Sequence, residues 1–531
     1  MKIRFVEPRP PGLNVYDLTR LPRLGLPLMG RLLKERGHDV RIYVEVLAPV
    51  DWADLDSADL VGFSTTTSTS PAAYEMASRL RKLGIPTVIG GSHVSFLPDE
   101  ALDHCDYVVR GEGQVTILEL VEALEKMEGF EKILGLSYRD AKGQNVHNPP
   151  RPACTQEEFE ALPSPDLSLI EGYEGMTVWP IMTQWGCPFN CDFCSVVQMF
   201  GHHVRARRIE DVLAELEERR PKTVFFYDDN FVVNKKRTKK LLSEMIARGL
   251  TPSWSAQVRA DVVYKDRRTR EIDHELLGLM RDSGCFIVYC GFESVNPATL
   301  EAYKKQQTVK DIEDSIRAFH AYGIRIHGMF VLGSDEDDVE TIYRTLDFAL
   351  ENGLETVQFM FLTPCPGTAF FDRMQNAERV LSKDWKLYDG HHVLIQPAKM
   401  SPYELQMEVY KVMMKFYSNW QFFKLLASIS FKNLPYLLIL ALREYKFSLQ
   451  LPRIAILSII PKKRSQAGRI LQETLSSRSL DFLKNKFAVP ALRKYGHDHL
   501  KKWMDQAYSM AYLEQIKDVL PAQNRRSTKA I

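Results

Sequence analysis

The feature that most constrains this chain is a rhythm. Short apolar runs alternate with helical stripes over residues 2–124 and again over 176–363, and a proline-rich break separates the two series. Strand–helix–strand units in close succession force parallel pairing, with the helices covering the sheet. In the first series Ile3–Val6, Val40–Val44, Leu60–Ser64, Pro86–Ile89 and Tyr107–Arg110 read as strands. Leu28, Leu32 and Leu33, and then Met76, Ala77 and Leu80, recur at helical spacing before the stop signals Gly37 and Gly84. An open parallel sheet holds ligands beyond the carboxyl ends of its strands. Three loops are therefore expected on one edge, with Ser64, Thr65, Gly90, Gly91, His93, Gly111, Glu112 and Gly113 as candidate ligand contacts. Glycine there lets a ligand approach the backbone. The fingerprint G-x-G-x-x-G is absent after the first strand, which argues against a dinucleotide.

Asn148-Pro149-Pro150-Arg151-Pro152 and Leu162-Pro163-Ser164-Pro165 interrupt any helix or central strand and mark a domain boundary. The second series then contributes six strands. They are Met176–Thr183, Thr223–Tyr227, Pro252–Arg259, a run from Cys285 to Cys290, Ile324–Leu332 and Thr356–Leu362. Six such units predict a partial (β/α)6 barrel with polar strand ends around one mouth. The α/β architecture expected overall is a Rossmann-like domain over 1–150, a linker over 151–175, a TIM-like partial barrel over 176–380 and a mainly helical accessory domain over 381–531.

The first barrel strand runs into Gly186-Cys187-Pro188-Phe189-Asn190-Cys191-Asp192-Phe193-Cys194. Three soft thiolates at C-x-x-x-C-x-x-C spacing suit three irons of a cubane and leave the fourth iron open to a small molecule. Structural zinc takes four closed ligands, and only His202 and His203 lie near, at an unusual spacing. Eight cysteines in 531 residues are too sparse for a disulfide framework. The opening Met1–Glu7 reads as a strand, not a secretory leader, so a reducing, cytoplasmic setting is expected.

With these motifs in place, the chain resembles the cobalamin-dependent radical S-adenosylmethionine enzymes. Gly90-Gly91-Ser92-His93 and Arg110-Gly111-Glu112-Gly113 are similar to loops of the cobalamin-binding domain that precedes such barrels, and the cysteine motif sits where that family has it. The resemblance implies that Cys187, Cys191 and Cys194 ligate a 4Fe–4S cluster whose open iron takes the amino and carboxylate groups of S-adenosylmethionine. Gly291-Phe292-Glu293-Ser294 looks like the fourth-strand segment that contacts this cofactor, and Gly333 lies in a stretch similar to the one lining its adenine. Gln257 and Arg259 are candidates for its carboxylate, a guanidinium being able to fork onto two oxygens. Asp228 is a further candidate cofactor contact; alternatively Asp228 or Asp229 caps a helix near Asn234. The pattern D-x-H-x-x-G, whose His replaces the lower cobalt ligand, is missing. His93 is either near the corrin or a loop histidine bonded to its surroundings.

Past Thr363 helical patterns dominate, and His391-His392 read as an exposed pair at a turn, with the substrate mouth as the alternative. Trp420 to Leu440 form the most apolar tract, short of the about 18 to 20 uninterrupted apolar residues of a membrane span. Core helices, or an interfacial surface suited to a lipid substrate and peripheral membrane contact, both fit it. A net charge of +1 argues against nucleic acid as a partner. The resemblance implies C-methylation of an unactivated carbon of an isoprenoid, another lipid or a small molecule, with flavodoxin or ferredoxin as electron donor. A radical cyclase or oxidative enzyme acting on a tetrapyrrole is the alternative within the architecture, and a non-catalytic cobalamin or redox sensor the alternative outside it.

Overall fold

The structure, a computed structural model, describes residues 1–11, 20–417 and 510–522. The chain divides into two compact units, 1–409 with 506–531, and 410–505.

The first series builds a seven-stranded sheet from β1 (Lys2–Glu7), β2 (Asp39–Val44), β3 (Leu60–Thr65), β4 (Thr87–Gly91), β5 (Tyr107–Val109), β6 (Leu136–Arg139) and β7 (Asn145–His147). Its order is β2-β1-β3-β4-β5-β6-β7, with β1 to β5 parallel. The central strands β1, β3 and β4 are buried on both faces. Ile3, Phe5, Ile42, Leu60 and Val88 pack one core with Leu33 and Leu120, which lie on the helices Gly25–Lys34 and Gly113–Lys126. Val6, Val61, Phe63, Ile89 and Val108 pack the other with Ala77 and Leu80 of the helix Ser70–Lys82. The expected strands agree closely with those observed. The antiparallel extension β6–β7 was not expected, because two short strands joined by the turn at Asp140 break the strand–helix rhythm.

The segment between the two series is not a free tether. Phe159, Leu167, Leu169 and Ile170 are buried in the first core, and the Glu171 amide donates to the Ile42 carbonyl at 2.8 Å.

In the second series the strand expected over Met176–Thr183 is shorter, β8 (Trp179–Ile181). It is followed by β9 (Gln184–Trp185), which pairs antiparallel with β10 (Arg205–Ala206). Next come β11 (Thr223–Phe226), β12 (Ser253–Arg259), the small pair β13 (Tyr264–Asp266) and β14 (Glu271–Ile272), β15 (Cys285–Glu293), β16 (Arg325–Leu332) and β17 (Thr356–Phe361). The six long-range partners run β17-β16-β15-β12-β11-β8, all parallel and in chain order, as an incomplete barrel requires. Along β16 burial alternates, with Ile326, Gly328, Phe330 and Leu332 buried and His327, Met329 and Val331 half-buried. Cys285 and Cys290 are buried in the barrel wall as small apolar side chains.

Among the described residues beyond 381, helices span Pro402–Phe416 and Met510–Lys517, and no helix is long and apolar enough to cross a membrane. The tract Trp420–Leu440 lies outside the described residues.

Candidate functional site

The strand series delivers the cysteine loop to the barrel rim, and two aspartates fix its entry. Asp228 is fully buried at the end of β11; it accepts from the Thr183 amide at 2.6 Å, the Thr183 hydroxyl at 2.5 Å and the Gln184 amide at 3.2 Å. Burial pushes its carboxyl up to about 6 against the pull of those bonds. Asp229 accepts from the Gly186 amide at 3.0 Å. Gly186 has φ +91°, and a Cβ there would lie 2.4 Å from the His203 carbonyl oxygen, so only glycine fits this turn. Neither aspartate caps the following helix; Asn234 does, accepting from the Arg237 amide at 3.1 Å.

Cys187, Cys191 and Cys194 are all half-buried on one loop, and burial pushes their thiols up, Cys194 to about 12. Cys191 also raises Cys187 and, with it, Cys194, while Lys305 and then Arg259 oppose the shift at Cys191. The loop docks on the segment after β15. The Asp192 amide donates to the Tyr303 carbonyl at 3.2 Å, and the Phe193 ring meets Tyr303 edge-on at 5.0 Å. Arg373 forks onto the Asp192 carboxylate at 2.8 and 2.5 Å.

At the carboxyl end of β15, Glu293 is a non-glycine residue at φ +63°, a strained conformation of the kind that functional sites retain. Its carboxylate accepts from the buried Lys305 ammonium at 2.6 Å. Arg259 places its guanidinium 3.7 Å from the Phe189 ring centroid, pairs with Asp261 at 3.1 Å and donates to the Lys305 carbonyl at 2.7 Å. Gln257 is half-buried and sits in register with Tyr289, which in turn faces His327 at 4.9 Å between rings. His327 contacts the Thr356 hydroxyl at 2.8 Å, and burial lowers its pKa to about 4, so its ring is neutral. Gly333, at φ +104°, packs against Leu405, and its amide donates to Asp337 at 3.1 Å.

On the first sheet the expected loops share one edge. Ser95 ties two of them, donating to the Gly91 carbonyl at 2.8 Å and accepting from the Gly111 amide at 2.9 Å. Thr65 donates to the Gly90 carbonyl at 3.0 Å, and the Ser64 carbonyl accepts from Arg23 at 3.2 Å. A Cβ on Gly91 would lie 2.1 Å from the Thr65 carbonyl oxygen, whereas one on Gly111 would meet nothing within 4 Å. Gly113 opens the helix behind this edge. Two residues expected with these turn elsewhere. Glu112 is buried in an ion pair with Arg205 of β10 at 2.5 Å. His93 is buried, with Nε2 3.2 Å from Glu100 and its ring edge-on to Trp385, while Nδ1 has no partner.

His391-His392 is not an exposed pair. His392 is 4 % exposed with Nδ1 2.9 Å from Asp389, and His391 is half-buried beside it. Gly390 lies against Met360 of β17, where a Cβ would meet the methionine methyl at 2.0 Å. Lys305, Gln307, His327 and Thr356 escaped the sequence reading. The run Lys304-Lys305-Gln306-Gln307, polar yet buried at Lys305 and Gln307, was the available signal for the first two.

The donor sets fit the groups that the motifs imply. Three thiols on a single loop face two cations, as thiolates around a cluster need, and an edge stripped of side chains at Gly90, Gly91 and Gly111 admits a flat macrocycle. Residues 181–379 match the Radical SAM superfamily model and residues 17–121 the B12 binding domain model. An uncharacterised methyltransferase of Pyrococcus horikoshii is 32% identical over 73% of this chain and 86% of its own length. The chain belongs to the cobalamin-dependent radical S-adenosylmethionine enzymes. Bacteriochlorophyllide d C-12(1)-methyltransferase of Chlorobaculum tepidum is 31% identical over 72% of this enzyme and 82% of its own length. The fold is shared with the cobalamin-dependent enzyme OxsB, with a TM-score of 0.64 at 16% identity over 99% of this chain and 82% of that one. It is shared too with the methyltransferase TsrM from Kitasatospora setae, with a TM-score of 0.58 at 19% identity over 71% and 75%. The cofactors of this enzyme are a 4Fe–4S cluster, S-adenosylmethionine and cobalamin.

Proposed function

We propose that the enzyme transfers a methyl group to an unactivated carbon of a largely apolar ring system, a tetrapyrrole or an isoprenoid. The observation that carries this reading is the seating of the first sheet on the barrel rim. Phe96, at the end of the short helix Ser92–Phe96 after β4, fills the space a side chain at Gly367 would need, just past β17. The open sheet edge and the cysteine loop thus belong to one compact unit.

Cys187, Cys191 and Cys194 would hold the cluster; Glu293, Arg259, Gln257 and Gly333 would surround S-adenosylmethionine, and Ser64, Thr65, Gly90, Gly91, Gly111 and Gly113 the corrin. When bound, these groups supply a 5'-deoxyadenosyl radical for hydrogen abstraction and a methyl donor. Asp228 and Asp229 set the cysteine loop, and Glu112 and His93 fix the sheet against the barrel and the segment around Trp385. An electron carrier of the flavodoxin or ferredoxin class would supply the reducing electron. The tract Trp420–Leu440 supports a lipid substrate and peripheral membrane contact.

Relatives named as hopanoid C-3 methylase, 24% identical over 79% of this chain, and as the bacteriochlorophyllide enzyme support methylation. Relatives named as anaerobic magnesium-protoporphyrin IX monomethyl ester cyclase, one of them 26% identical over 80% of the chain, favour ring formation as the second reading. The deciding experiment supplies the anaerobically reconstituted enzyme with methyl-deuterated S-adenosylmethionine and a bacteriochlorophyllide or a hopanoid. Label in the product, together with 5'-deoxyadenosine and S-adenosylhomocysteine, is expected. A converted product free of label sinks methylation and leaves the cyclase.

A further inference from the structure

We propose that Lys305 is a positioning residue for the cluster: its buried ammonium, clamped on Glu293 beneath the loop that carries Cys191, supplies the fixed positive charge that makes the cluster reducible. This rests on the cluster being held by Cys187, Cys191 and Cys194. Lys305 is 7 % exposed, and a lysine is buried to that extent only where an anion offsets its desolvation. Glu293 does so at 2.6 Å, and among the described residues it is the one anion paired with this ammonium, so the pair is neutral only until another negative centre arrives.

That centre is the cysteine loop. Asp192 hangs on the Tyr303 carbonyl, Phe193 packs on the Tyr303 ring, and Arg259 binds both the Lys305 carbonyl and the face of Phe189. The chain segment 303–305 is therefore built into the floor of the loop. Lys304, at φ +52°, and Gln306, at φ +54°, flank Lys305 in left-handed backbone that only surrounding contacts sustain. Among neighbouring charges, Lys305 acts most strongly on the Cys191 sulfur.

Reduction adds one electron, and so one negative charge, to the cluster. A fixed cation in a water-poor site stabilises the reduced form over the oxidised one. Glu293 opposes this, so removing either partner should move the couple in opposite directions, which a merely space-filling ion pair would not do.

The test is a dithionite titration of the reconstituted, full-length protein without S-adenosylmethionine, read by electron paramagnetic resonance. Lys305→Met should shift the reduction equilibrium about tenfold toward the oxidised form, which is 59 mV for one electron. Glu293→Gln should shift it in the reduced direction, and Lys305→Arg should stay close to wild type. Lys222→Met, at an exposed lysine just before β11 and away from the cysteine loop, should change nothing. An unshifted couple in Lys305→Met at wild-type iron content overturns the proposal, as does an equal shift in Lys222→Met or Lys305→Arg. If Lys305→Met fails to retain its cluster, Glu293→Gln still decides, since a shift toward the oxidised form, or none, overturns it. Wild-type protein without a cluster would instead overturn the reading on which the proposal rests.

Discussion

A buried carboxylate that accepts three hydrogen bonds from one dipeptide is a brace, and Asp228 is such a group. Its neighbours Thr183 and Gln184 carry the chain into the cysteine loop, so its loss should be felt at the thiols. Asp228→Ala would strand three buried donors at about 1 to 3 kcal/mol each before relaxation. We expect a loss of a few kcal/mol in unfolding free energy by denaturant titration and a fall in iron content; unchanged iron with full stability would contradict the bracing role. Cys191→Ala acts on chemistry instead of scaffolding. It should keep the fold, lose the visible absorption and iron of the cluster, and reduce 5'-deoxyadenosine formation by roughly two orders of magnitude or more, because the open iron has no counterpart elsewhere. The three cysteines were legible in the sequence because their spacing alone carries the chemistry. Asp228 was only half legible: its place at a strand end was clear, but its partners sit on another strand.

Strand and helix positions followed from periodicity, since β1 to β5 and β11, β12, β15, β16 and β17 bury side chains in a way that alternation or continuous apolarity reports. What periodicity cannot report is which face meets what. His391 and His392 read as a turn; Asp389 and the approach of Gly390 to Met360 bury them. The sheet edge gives a sharper case. At Gly91, φ +115° and the Thr65 carbonyl together forbid a Cβ, while at Gly90 the nearest atom to a Cβ would be 3.6 Å away. Gly91→Ala should cost about 1 to 3 kcal/mol in stability and sharply reduce cobalamin retained after gel filtration, with Gly90→Ala close to wild type in stability. Equal behaviour of the two would remove the argument from backbone approach. Inside the barrel, His327 has a folded pKa near 4 against an ordinary value of 6.5. Between these values the unfolded chain binds more protons, so this histidine's contribution to stability is present above pH 6.5 and is lost as pH falls toward 4. His327→Gln should flatten that part of the stability–pH curve by up to about 3 kcal/mol. A curve that stays parallel to wild type would show that the ring is not neutral and buried.

At the scale of the molecule the question is what keeps a corrin-binding sheet in register with a radical-generating barrel. Glu112 and Arg205 form one answer: both side chains are 4 % exposed, they meet at 2.5 Å, and they join the helix start after β5 to the strand β10 that pairs with the entry to the cysteine loop. The pair is further bound through Cys154, whose amide donates to Glu112 at 3.0 Å and whose carbonyl accepts from Arg205 at 3.1 Å. Breaking a buried pair from one side leaves an uncompensated charge, so Arg205→Met should cost about 3 to 5 kcal/mol. Replacing both, Glu112→Leu with Arg205→Met, should recover much of that loss, since desolvation no longer opposes folding. If the pair serves only stability, the double variant will also recover function. If it sets register, the double variant will fold yet consume S-adenosylmethionine wastefully, forming more 5'-deoxyadenosine per methylated product than wild type. Denaturant titration alongside the ratio of those two products separates the cases, and an Arg205→Met variant within about 1 kcal/mol of wild type would place the pair among the weak surface interactions.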